Sequence, residues 1–104
     1  MRFRVVGGKM LSRFLQNPQD FPGGLPSPET AAKLFVRLFP IATLRARTPK
    51  RSGKLAASLR LIRRGANVEL HGAFYGRFLP EVERTAHVLA KQTSVKVNQA
   101  LKRG

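Results

Sequence analysis

Apolar residues recur at helical spacing in two stretches of this chain, and two shorter stretches alternate or run in the manner of strands. After Ser27, the residues Ala31, Leu34, Phe35, Leu38 and Ala42 fall on one helical stripe, with Lys33, Arg37 and Arg45 mostly off it. Ser27-Pro28 supplies the entry: Ser is a good N-cap, Pro is preorganised for the first helical position, and Glu29 complements the positive end of the helix dipole. Pro40 lies inside the pattern without a backbone donor, so the helix is expected to kink or to end early near Leu38 and restart through Arg47. Thr48-Pro49 then stops it, because a residue before Pro is pushed towards extended backbone. The second helical stretch starts at Pro80 and carries Val82, Ala86, Leu89, Ala90, Val97 and Leu101, with Lys102-Arg103 at its end. The β-branched and hydroxyl residues at Thr93-Ser94-Val95 mark a place where that helix is open to a break.

Phe3 and Val5 alternate with Arg2 and Arg4, which predicts a short strand or arm that breaks at Gly7-Gly8, with one helical turn after it within residues 1–15. Residues 17–28 hold four of the seven Pro and two adjacent Gly, a composition that opposes both regular structures and predicts a loop. Leu55–Ile62 and Val68–Tyr75 are expected to be strands joined through Arg63-Arg64-Gly65-Ala66-Asn67, although Leu55-Ala56-Ala57 reads equally as a helical turn. The expectation is an α+β fold: a small antiparallel or mixed sheet packed against a helix from the N-terminal half and a C-terminal helix. With 104 residues, 1–104 form one domain. No internal repeat or low-complexity tract interrupts it.

Charge changes the picture more than apolar content does. Twenty Lys and Arg face five Asp and Glu, a formal net charge of +15. Such a chain repels itself unless an anionic partner is near, and nucleic acid, an acidic protein surface and anionic lipid all qualify. Cysteine is absent, which excludes disulfides and thiolate metal ligands. Residues 1–15 contain no apolar run long enough for a secretory signal or a membrane span, so the chain is expected in the cytoplasm and off the membrane.

Groups for catalysis are few. The acids are Asp20, Glu29, Glu69, Glu81 and Glu83, and Glu81 with Glu83 point differently on a helix, so helix-dipole roles suit them better than an acid/base pair. His71 and His87 are the only imidazoles, and a metal site would need Glu69 or Glu83 to join them. Glu83 and His87, four residues apart, are expected instead to form a surface pair. Ser52 and Ser58 lack a nucleophile elbow, and Gly7-Gly8-Lys9 lacks the first Gly and the hydroxyl of a phosphate-binding loop. No enzyme activity, metal or cofactor is expected.

The remaining feature is a basic block. Arg45, Arg47, Lys50, Arg51, Lys54, Arg60, Arg63 and Arg64 fall within twenty residues, and no acid lies between Glu29 and Glu69. A solvated face that serves only solubility is the plainer explanation. A surface aimed at phosphate or at acidic protein accounts better for a cluster without interleaved acids, which costs self-repulsion. No aromatic platform accompanies the block, which argues against sequence-specific binding of single strands.

The segment Thr48-Pro49-Lys50-Arg51-Ser52-Gly53-Lys54-Leu55-Ala56-Ala57-Ser58-Leu59 resembles the signature of the HK97 gp10-like family of bacteriophage neck and tail-completion proteins. In that family a helix ends at Pro, a polar stretch leads to Ser/Thr-Gly, and a basic residue, Leu and Ser open a strand. Pro49, Gly53, Lys54, Leu55, Ser58 and Leu59 match that pattern in order and spacing, with Pro49, Gly53, Leu55 and Ser58 as its structural positions, and Val68-Glu69-Leu70 with Phe74-Tyr75-Gly76 is similar to the second strand. The run Phe78-Leu79-Pro80-Glu81 departs from the acid, aromatic and Gly-Thr that usually close it. The resemblance covers about a third of the chain. It implies a virion protein of the head–tail junction, assembled in the host cytoplasm as a homo-oligomeric ring, expected to be hexameric, that docks on the tail tube and on connector or stopper proteins without catalysis. The basic patch would meet an acidic face of those proteins or the DNA that passes through the channel. The alternative from composition alone is a small basic cytoplasmic nucleic-acid-binding module.

Overall fold

The computed structural model describes residues 1–48, 57–73 and 79–103. Their fold is α+β: a four-stranded mixed sheet with helices packed on one of its faces. The strands are β1 (Arg2–Val5), β2 (Leu11–Arg13), β3 (Arg60–Arg64) and β4 (Asn67–His71), in the order β2-β1-β4-β3. β1 pairs antiparallel with β2 and parallel with β4, while β3 and β4 form an antiparallel hairpin. The N-terminal alternation is therefore an interior strand. The helical turn expected after it is instead the edge strand β2, because Gly7, at φ 87°, turns the chain back along β1.

The β3–β4 connection is shorter than its composition suggests. Arg63 and Arg64 belong to β3, Asn67 opens β4, and only Gly65 and Ala66 make the turn, with Gly65 at φ 60°. The first strand of the hairpin also starts later than expected: Ala57 and Ser58 are helical and β3 begins at Arg60. The second ends at His71, and the Phe74–Tyr75 part of the expectation lies outside the described residues.

The helices are α1 (Pro28–Leu38), α2 (Ile41–Arg47) and α3 (Leu79–Arg103). Ser27 caps α1 as its sequence predicts, its Oγ accepting from the Thr30 backbone N–H at 3.1 Å. Pro40 splits the pattern where expected, with Phe39 extended between the two helices. The split also changes the buried face. Phe39 and Leu44 enter the core, whereas Leu38 and Ala42, expected inside, are exposed, since a break resets the helical phase. Thr48 closes α2 in extended backbone (ψ 139°), and its Oγ1 donates to the Leu44 carbonyl at 2.7 Å. α3 runs unbroken through Thr93-Ser94-Val95: Thr93 Oγ1 donates to Leu89 O and Ser94 Oγ to Lys91 O, so the hydroxyls bond within the helix rather than ending it.

α1 lies on β3 and β4, and α3 lies on β1, α1 and α2. Between the layers Phe3 is wholly buried, its ring 5.6 Å from Phe35, 5.8 Å from Phe39 and edge-on to His87 at 5.2 Å. Val5, Val68, Leu70 and Leu59 from the sheet side and Ala32, Leu44, Val82, Ala86, Leu89, Ala90 and Val97 from the helices belong to the same core. The opposite face of the sheet has no layer over it among the described residues.

Candidate functional site

Strand alternation decides what the uncovered face carries. Because Phe3, Val5, Val68 and Leu70 point into the core, their neighbours Arg2, Arg4, Asn67, Glu69 and His71 point out. The register lines up side chains across the sheet: Arg13, Arg2, Asn67 and Arg64 form one row, Leu11, Arg4, Glu69 and Ile62 the next, and His71 with Arg60 a third. Five guanidinium groups thus share one face. With strands about 4.8 Å apart, the first row spans about 14 Å.

Glu69 is the single acid on that face. It is buried, and Arg4 holds it through Nη2 at 2.8 Å and Nε at 3.1 Å, with His71 Nε2 at 3.2 Å and Arg64 Nε at 3.6 Å. The Arg4 hydrogen bonds, and then that from His71, hold its carboxyl below the usual glutamate range against the opposing effect of burial. Arg2, Arg13 and Arg60 make no side-chain ion pair or hydrogen bond with the described residues. Beside Glu69 lies an open depression of about 310 Å³ lined by Arg2, Arg4, Leu11, Asn67 and Glu69, and a second of about 320 Å³ opens at Arg60, His71 and Ser58.

The basic block expected from sequence is divided by this geometry. Arg60 and Arg64 stand on the open face, but Arg63, one residue out of phase, turns towards the core side and donates to the Gly65 carbonyl at 2.9 Å. Arg45 braces the start of the hairpin by donating to Leu59 O at 2.9 Å, and Arg47 is exposed at the end of α2. Lys50, Arg51 and Lys54, with Pro49, Gly53 and Leu55 of the family-like motif, lie outside the described residues. Ser58 is described, and its Oγ accepts from the Ala73 backbone N–H at 2.8 Å, tying the end of β4 to the start of the hairpin. Sequence reasoning missed Arg2, Arg4 and Arg13 because they lie far from the block along the chain. The alternation Arg2-Phe3-Arg4-Val5 was the signal for two of them.

Glu83 and His87 are not a surface pair. Both are buried against the N-terminal hairpin: Glu83 Oε2 accepts from the Met10 backbone N–H at 3.1 Å, and His87 Nδ1 lies 2.6 Å from Ser12 Oγ. His87 Nε2 is buried without a partner among the described residues, and burial lowers the pKa of the ring, with Glu83 opposing. Gly8 is what lets the Glu83 carboxylate approach, since a Cβ there would overlap it. The Gly-Gly pair therefore has a packing role in the strand connection. Among the described residues no three of His, Asp and Glu are placed to hold a metal.

A separate apolar margin lies at the start of the Pro/Gly loop. Met1, Phe14, Leu15, Leu25, Pro26 and Ala31 line an open groove of about 340 Å³, where Leu15 is 86% and Leu25 52% exposed. No helix among the described residues is long and apolar enough to cross a membrane. No family model, curated protein or solved structure matches the chain.

Proposed function

We propose that this chain is a structural assembly subunit of a phage head–tail junction, one that forms a ring by docking to copies of itself and to the tail tube and connector, without catalysis. One observation carries the reading: among the described residues the sheet is covered on one side only, so a face and the two edge strands β2 and β3 are open for contacts. A ring needs two different complementary surfaces on each subunit. The apolar margin at Phe14, Leu15 and Leu25 and the open edges supply candidates for contacts between copies. Support also comes from the local order of the family-like motif: α2 stops at Thr48 before Pro49, and Leu59 and Arg60 lead into a hairpin.

Size-exclusion chromatography with light scattering, followed by electron microscopy without DNA, tests the reading. Closed rings or caps on purified tail tubes are expected. A strict monomer at every concentration, with and without tubes, would refute it. The second reading, a monomeric nucleic-acid-binding module, is favoured by the guanidinium array and predicts that monomer together with duplex binding that weakens steeply with salt.

A further inference from the structure

We infer that the uncovered sheet face is a binding site for the phosphodiester backbone of nucleic acid, with Arg2, Arg13 and Arg60 as its free contacts and Arg4 and Arg64 as contacts organised around Glu69. The inference deepens the docking reading by naming the partner of that face.

A second copy of this chain is a poor occupant. Of its five acids, Glu69 is taken by Arg4, His71 and Arg64, Glu83 is buried under Met10, and Asp20 pairs with Lys102 at 3.2 Å. That leaves Glu29 and Glu81 as exposed acids to answer five guanidinium groups. Face-to-face docking of two copies would instead set arginines against arginines. The occupant of the face is therefore a different molecule, dense in negative charge.

Phosphodiester backbone fits best among anionic partners. Duplex DNA carries one charge per about 1.7 Å of axis, a density that matches a chain of net charge +15. The row Arg13, Arg2, Arg64 is about 14 Å long, similar to the roughly 12 Å opening of a major groove between its two backbones. Guanidinium forks match phosphate oxygens in pairs. Glu69 contributes order: it fixes the Arg4 fork and draws in Arg64, so fewer rotamers are lost when phosphate arrives. The described part of the face carries no Phe or Tyr, so the contact is with backbone and is independent of base sequence.

Fluorescence anisotropy with a short labelled DNA duplex, across about 50 to 200 mM salt, tests this. The full-length chain carrying Arg2→Gln, Arg13→Gln and Arg60→Gln is compared with a charge-matched control carrying Lys33→Gln, Arg37→Gln and Lys91→Gln on the helical side. Each lost phosphate contact lowers the slope of log K against log salt by about 0.9, so the sheet variant is expected to lose nearly three units of slope and the control little. Equal losses in the two variants, or a wild-type chain that does not bind the duplex, overturns the inference. So does tighter binding to a polyglutamate peptide than to the duplex at matched charge, which would assign the face to acidic protein. Circular dichroism confirms that both variants are folded. Oligomeric state is read without DNA, so loss of the ring reading and loss of the phosphate site are separate results.

Discussion

Replacing Gly8 with Ala isolates one contact between the N-terminal hairpin and α3. Gly8 is outside the left-handed region, so the backbone accepts Ala without strain, and the whole effect comes from where the new Cβ goes. It would overlap the Glu83 carboxylate and come within 3.1 Å of Val5 O. The Val5 oxygen is backbone in a strand and yields little, so Glu83 must withdraw. Withdrawal breaks its hydrogen bond from Met10 N–H and leaves a buried carboxylate with no described partner. A hydrogen bond to a charged group contributes about 1.5–3 kcal/mol, so a loss of about 2 kcal/mol is expected. In urea that lowers the unfolding midpoint by on the order of 1 M with the slope unchanged, and the thermal midpoint by roughly 8–16 °C. The decisive measurement is the double-mutant cycle. With Glu83→Ala already present the carboxylate obstruction is gone and only the 3.1 Å approach to Val5 O remains, so Gly8→Ala should then cost markedly less than in the wild-type chain. If Gly8→Ala is as destabilising in the Glu83→Ala background as in the wild-type chain, the packing argument fails.

Phe3→Ala removes a wholly buried ring that touches Phe35, Phe39 and His87, and should cost about 3–5 kcal/mol in chemical denaturation; a loss under about 1 kcal/mol would mean the aromatic cluster is not the core's centre. Stability should fall in acid in two windows. His87 has its folded value below the ordinary 6.5, so the unfolded chain takes the proton first and stability declines as pH drops from about 6.5 towards the folded value. Glu69 is also held below its ordinary 4.5, so its contribution is complete above that value and is lost as pH falls through the folded one. Denaturation followed against pH should lose the upper window in His87→Gln and the lower one in Glu69→Gln, and unchanged slopes in either variant would refute that assignment.

Local signals were legible and long-range ones were not. Ser27, Pro28, Pro40 and Thr48-Pro49 act within a few residues, through caps, missing donors and forced backbone angles, and α1 and α2 begin and end where those residues direct. The apolar stripe of α3 is likewise local, and five of its six expected residues are buried. The parallel pairing of β1 with β4 has no local signature, so the N-terminal alternation did not reveal an interior strand. The same blindness hid the site: Arg2, Arg4 and Arg13 join Arg60 and Arg64 only through sheet register, and Arg63 leaves the group by a one-residue change of phase. Glu83 and His87 looked solvent-facing because the hairpin that buries them is over seventy residues away along the chain.

The position of β1 also sets the order in which the molecule is finished. Its parallel neighbour lies 65 residues downstream at the Arg4–Glu69 pair, so during synthesis β1 and β2 leave the ribosome long before β4 exists. Until then only α1, through Phe35 and Phe39, is present to meet the Phe3 side of the hairpin, α3 comes later still, and one edge of β1 waits unpaired. Closure over so long a separation is slow by comparison with helix formation. The nascent chain is consequently most prone to aggregate in the interval before β4 and α3 emerge, and holdase chaperones that shield residues 1–15 should raise its soluble yield.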